Sequence, residues 1–134
     1  MPGINFLAVL VAAVAAFVAS ALWYSPLLTG KEYVKVRTAQ GVTAESKMPP
    51  GKIVAEFARE LIIALVLAHF IVGLGVTGWM GALHFGLIVW IGFWATILLG
   101  GVIHEKMPWK LYAIHAGDGF VKILLMSLIL GAWR

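Results

Sequence analysis

Four long apolar runs organise the chain, and polar residues concentrate between them and within two of them. Ile4 to Leu22 has no charged residue and is long enough to cross a bilayer, which takes about 20 mostly apolar residues. It ends in Trp23-Tyr24-Ser25-Pro26, an aromatic pair suited to an interface followed by a proline that stops a helix. Spans are expected over residues 4–26, 53–76, 79–103 and 109–133. Ala8, Ala12, Ala16 and Ala19 recur at helical spacing in the first and form a smooth ridge for a neighbouring helix, unless alanine is merely abundant there. Ala19-Ser20-Ala21 resembles a signal-peptidase site, but no positive segment precedes the run, so an uncleaved span is expected.

Residues 29–52 form the one long polar connection, closed by Pro49-Pro50-Gly51. Lys31 to Thr38 mixes Tyr33, Val34 and Val36 with basic residues, which fits either a short surface helix or a solvated loop. Gly73, Gly75 and Gly78 predict a tight uncharged turn between the second and third spans. Lys31, Lys35, Arg37, Lys47 and Lys52 occupy the first connection, none the second, Lys106 and Lys110 the third, and Arg134 follows the last span. The positive-inside rule makes the first and third connections cytoplasmic and puts both termini on the outer face.

Composition narrows the class. At 62% hydrophobic and 12% charged over 134 residues, the chain is far more apolar than a soluble domain, and four spans leave no room for a second one. A single transmembrane domain with the lipid bilayer as its first partner is expected. Zero cysteines exclude disulfides, thiol nucleophiles and thiolate metal sites. The net charge of +4 sits where topology demands it, so nucleic acid is not an expected partner.

Charge inside the spans is the candidate chemistry. The second span carries Glu56, Arg59 and Glu60, and the fourth carries His115, Asp118 and Lys122 on one helical face. At about 1.5 Å of rise per residue, Arg59 and Glu60 lie roughly 9 to 11 Å from Ile53, and His115 and Asp118 roughly 9 to 14 Å from Trp109. The two polar stripes therefore match in depth. An unpaired Asp or Lys in mid-bilayer costs about 2.5 to 3.5 kcal/mol on insertion scales, so these groups should face one another. Lys122 reaches back toward Asp118, and Arg59 is in range of Glu60 or Asp118. Three carboxylates against Arg59 and Lys122 leave room for a proton or cation.

Several roles fit this pattern. The charges can simply pair and hold helices in register. They can serve proton, ion or small-solute movement through a homo-oligomeric bundle, with Glu60, His115 and Asp118 binding and releasing the proton or cation. They can form a metal site from Glu56, Glu60, His104 or Glu105, His115 and Asp118, although a paired Glu-x-x-His pattern is missing and Arg59 and Lys122 repel a cation. Gly81, Gly86, Gly92, Gly100 and Gly101 also permit close helix contact, which suits a scaffold or accessory subunit of a larger membrane complex. No cofactor motif and no hydrolytic serine set is present, His104-Glu105 lacks the second histidine of a zinc protease, and enzyme activity is not expected. His69 and His84 read as packing histidines, and Trp90 and Trp94, spaced i, i+4, as packed aromatics. Gly117 and Gly119 strip bulk from around Asp118 and let a partner or water approach.

Ile4 to Ala13, Ala21-Leu22-Trp23-Tyr24-Ser25-Pro26-Leu27-Leu28 with Gly30-Lys31, and Pro108-Trp109-Lys110-Leu111 with Ile114 to Lys122 and Trp133 resemble the domain of unknown function 1761 family of small bacterial membrane proteins. The resemblance covers most of the chain and implies an all-α, four-helix protein of the bacterial inner membrane without an established activity. In that family's last span an Asp-Ala-Gly order is expected where this chain has Ala116-Gly117-Asp118-Gly119, with His115 standing where the acid aligns. No catalytic role comes with the resemblance.

Overall fold

The computed structural model describes residues 3–41 and 49–133, so Lys47 and Arg134, counted above for topology, lie outside the described residues. The described residues are helical with no strand, in five helices rather than four. These are α1 (Phe6–Trp23), α2 (Gly30–Ala39), α3 (Pro50–Gly73), α4 (Gly78–Glu105) and α5 (Trp109–Ala132). The additional helix is α2, which settles the basic connection in favour of a helix over a loop. Helices α1, α4 and α5 are long and apolar enough to cross a membrane, which is compatible with a small membrane protein. Helix α3 is long enough but more polar, because every 18-residue stretch of it includes Glu56, Arg59 and Glu60.

Local chemistry sets each boundary. The Asn5 side chain caps α1 by accepting from the Ala8 N–H at 3.1 Å. α1 stops at Trp23, short of Pro26, in a corner where Ser25 Oγ donates to the Leu22 carbonyl at 2.7 Å and Thr29 Oγ1 donates to that of Trp23. A Cβ on Gly30 would lie 2.5 Å from the Tyr24 carbonyl oxygen, so only glycine lets the chain double back into α2 this tightly. Pro50 begins α3 at a position that needs no N–H partner, and Gly75, with φ of 68°, closes its end.

α5 is the hub, because every other helix packs against it. α1 supplies a smooth face of Ala8, Ala12 and Ala16, continued by buried Ser20 rather than by Ala19. α4 approaches closely through Gly86 and through Ala82, whose Cβ would be 2.6 Å from one added to Gly131. α1 also packs along α3, whereas α3 and α4 share no extended backbone interface and contribute side chains to one apolar core.

α2 is fastened to the start of α5 by the Glu32–Lys110 ion pair. Hydrogen bonding and charge from Lys110, with a smaller contribution from Lys35, hold the Glu32 carboxyl below its ordinary range. The contribution of this pair is therefore full above the unfolded glutamate pKa of about 4.3 and is lost as pH falls through the lower folded value. Spin-label distances between α2 and the start of α5 are expected to stay constant at neutral pH and broaden in that acid window. Lys110→Gln should broaden them already at neutral pH.

Candidate functional site

The structure brings both predicted polar stripes together around one ammonium. Lys122, 1% exposed, places Nζ 2.9 Å from Glu60 Oε1, 3.2 Å from Asp118 Oδ2 and 3.9 Å from Glu56 Oε1. It also lies 5.1 Å from the centroid of the Trp94 ring. Asp118 is 6% exposed, and its Oδ1 accepts a 2.7 Å hydrogen bond from Ser20 Oγ. Arg59, expected near Glu60 or Asp118, instead donates to Glu56 Oε2 at 2.6 Å on a more exposed face of α3. Adjacent residues on a helix diverge by about 100°, so Arg59 and Glu60 cannot share a face. Glu60 Oε2 is buried without a hydrogen-bond partner.

His115 leaves the cluster for another contact. Its Nδ1 is 2.6 Å from the Tyr24 hydroxyl, and both rings meet Tyr33 of α2. Among the described residues no three His, Asp, Glu or Cys side chains gather as metal ligands, so the weak metal candidates Glu60, His104, Glu105, His115 and Asp118 do not assemble. The Lys122 ammonium fills the space between Glu60 and Asp118 that a cation would need.

A tryptophan collar seats α5, and the sequence reading did not anticipate it. Trp23 Nε1 donates to the Ile114 carbonyl at 2.8 Å, Trp94 Nε1 to that of His115 at 3.3 Å, and Trp90 Nε1 to that of Ala116 at 2.9 Å. Three successive helix carbonyls thus each take a second donor. Glycines make the approach possible. A Cβ on Gly117 would lie 2.4 Å from the Trp23 ring, and one on Gly119 would lie 2.1 Å from Trp94 Nε1. The partner admitted by these glycines is therefore indole. In α4 both tryptophans sit in a π-helical turn, Trp90–Ala95, where Thr96 Oγ1 donates to the Gly92 carbonyl at 2.7 Å.

Beside the cluster lies an open cavity of about 970 Å³. Its aromatic and polar wall is made by Tyr24, Tyr33, Trp94 and His115, and it reaches Asp118 and Ser20. Phe17, Phe93, Ile97 and Leu98 supply an apolar part. Arg37 of α2 and Lys52 of α3 line it along with Arg59 and Glu56, and neither belonged to the cluster read from sequence. Beyond Lys122 the described interior is mostly apolar, with Ile71, Ile123 and Met126 beside the one buried hydroxyl of Ser127, and the lining of the cavity does not extend there.

Fold and site define a small all-helical chain with apolar, membrane-length helices and a buried charge cluster at the floor of an open cavity. The chain belongs to the family described as Protein of unknown function (DUF1761), whose model matches residues 7–131. No curated protein and no solved structure matches it.

Removing the shared cation tests the cluster. Lys122→Met strands Glu60 and Asp118 as buried carboxylates and is expected to cost about 3 to 5 kcal/mol of stability, read as a lowered melting temperature in detergent. Glu60→Gln added to Lys122→Met should recover part of the loss. A double variant no more stable than the single one contradicts a shared cation.

Proposed function

We propose that the chain is a single four-span domain of the bacterial inner membrane, with both termini on the outer face, that binds a small solute or ion in this cavity and moves it as a homo-oligomer. The observation that carries the reading is the cavity of about 970 Å³, which ends on buried Asp118 and is lined by charged, aromatic and apolar side chains. Its size lies in the range of small-molecule sites, about 300 to 1,000 Å³, and its mixture of apolar walls with a few charged groups is typical of them. Asp118, held by Ser20 and Lys122, is a fixed polar floor, and Arg37, Glu56 and Arg59 add charge along the walls.

Topology supports the same picture. α3 serves as the fourth span, because its 24 residues reach about 36 Å and its deepest acid is answered by α5. Lys31, Lys35 and Arg37 precede α3, Lys52 lies in its first turn, and Lys106 and Lys110 follow α4, at the end where Arg37 and Lys52 border the cavity, which the positive-inside rule assigns to the cytoplasm. The apolar interior beyond Lys122 makes this a one-sided state, so movement requires a rearrangement rather than a standing pore.

A second reading, an accessory subunit of a larger membrane complex, is favoured by α4, of which only 11% of the most apolar stretch is buried. Native mass spectrometry from mild detergent separates them: a lasting homo-oligomer supports the first and a defined heteromer the second.

Flux tests the main reading directly. In proteoliposomes of equal protein density, Asp118→Asn is expected to change the rate of small-solute, ion or proton movement relative to the parent. Identical behaviour of the two proteins under every ion and proton gradient applied would end the proposal.

A further inference from the structure

The geometry points to a proton-binding site at Glu60, loaded from the cavity through Asp118 and the ammonium of Lys122. The site stands on side-chain contacts, and its use rests on the solute or ion movement proposed above.

Among the described residues the buried charged groups are Glu60, Asp118 and Lys122. Two carboxyls thus share one ammonium, at 2.9 and 3.2 Å. The charges around them are engaged elsewhere. Arg59 pairs with Glu56 at 2.6 Å on a more exposed face of α3, and Glu56 stays 3.9 Å from the ammonium. Arg37 of α2 donates to Gln40 at 2.9 Å. With Lys52, Tyr24, Tyr33 and His115 it borders the cavity, whose lining includes Asp118 but not Glu60. Ser20 of α1 and Trp94 of α4 complete the surroundings without charge. Two like charges that share a buried site are hard to ionise together, and one bound proton relieves them.

Hydrogen bonding selects the carboxyl that takes it. Both oxygens of Asp118 accept, Oδ1 from Ser20 Oγ at 2.7 Å and Oδ2 from Nζ, which favours the anion. Glu60 is 0% exposed, its Oε1 accepts from Nζ, and its Oε2 is buried with no donor. An ionised oxygen there loses its hydration without replacement, whereas a hydroxyl there carries no charge. The loaded state is therefore a Lys122–Asp118 ion pair beside a neutral Glu60 that still accepts from the ammonium.

The same contacts supply the route. A proton that arrives from water on Asp118 Oδ2 passes to Lys122 Nζ as Nζ gives one to Glu60 Oε1. The ammonium is unchanged, Asp118 is again an anion and Glu60 is neutral. A half-turn of the Glu60 carboxyl then returns an unprotonated oxygen to Nζ, and unloading runs in reverse. In the empty state the ammonium is divided between two anions, so its hold on the cavity floor depends on the proton. Whatever binds at Asp118 and the proton at Glu60 must then affect each other reciprocally.

The test is infrared difference spectroscopy of the full chain in lipid vesicles, between neutral and alkaline buffer, with and without glutamate carrying carbon-13 at the side-chain carboxyl. At neutral pH a neutral-carboxyl band is expected that shifts with the glutamate label. Glu60→Gln should abolish it. Asp118→Asn should abolish it too, because Lys122 then serves Glu60 alone and the acid ionises. No neutral-carboxyl band in the labelled parent, which needs no variant to fold, overturns the proposal. A band that ignores the label does the same and assigns the proton to Asp118, and a band that survives either substitution removes the shared site. Failure here with Asp118-dependent flux intact removes the proton site and leaves the solute reading standing. The expected band in a parent without flux upholds the proton site and ends the movement reading.

Discussion

The buried ammonium of Lys122 is the constraint to which the other contacts defer. It belongs to α5, it is shared with Glu60 and more distantly Glu56 of α3, and it holds Asp118, which Ser20 of α1 also grips. The Trp94 ring of α4 flanks it. Four helices therefore converge on one positive charge, each supplying what the others lack. In a medium without water an unpaired charge is expensive, so a partly assembled cluster is worse than none. This is a register device: sliding α3 by one turn along α5 would separate Glu60 from the Lys122 ammonium.

Around that fixed point the structure divides labour. Indoles lock the middle of α5 to α1 and α4 by hydrogen bonds to its own carbonyls, and the small faces of Ala8, Ala12, Ala16, Gly86 and Gly131 close the apolar end. The opposite end is built from longer, charged side chains that do not close on themselves, and the cavity is what remains between them.

Much of this was legible from residue order. The four apolar runs, the alanine ridge and the depth match between Glu60 and Asp118 follow from helix periodicity and rise, which hold whatever the partners. The pairing inside the cluster was only half legible, because depth cannot tell which faces meet. Arg59 matches Asp118 in height but points with Glu56. Arg37 and Lys52 were read only as topology signals, since their approach to the cavity depends on the Trp23–Gly30 corner, a tertiary turn without a periodic signature. The collar had a signal that was misassigned: Gly117 and Gly119 announce a close approach, yet spacing alone does not say that Trp23, Trp90 and Trp94 make it. The π-turn that presents two of those indoles has no composition of its own.

The position of Lys122 also bears on how the chain matures. α3 is made before α5, so Glu60 exists for a time without the ammonium that answers it. Its counter-charge arrives with a later helix. Until then Glu60 is best kept where water can reach it, and it can be buried fully only when α5 delivers Lys122. Burial of α3 and completion of α5 are in that sense one event, and the later helix acts on an earlier segment much as a built-in chaperone would.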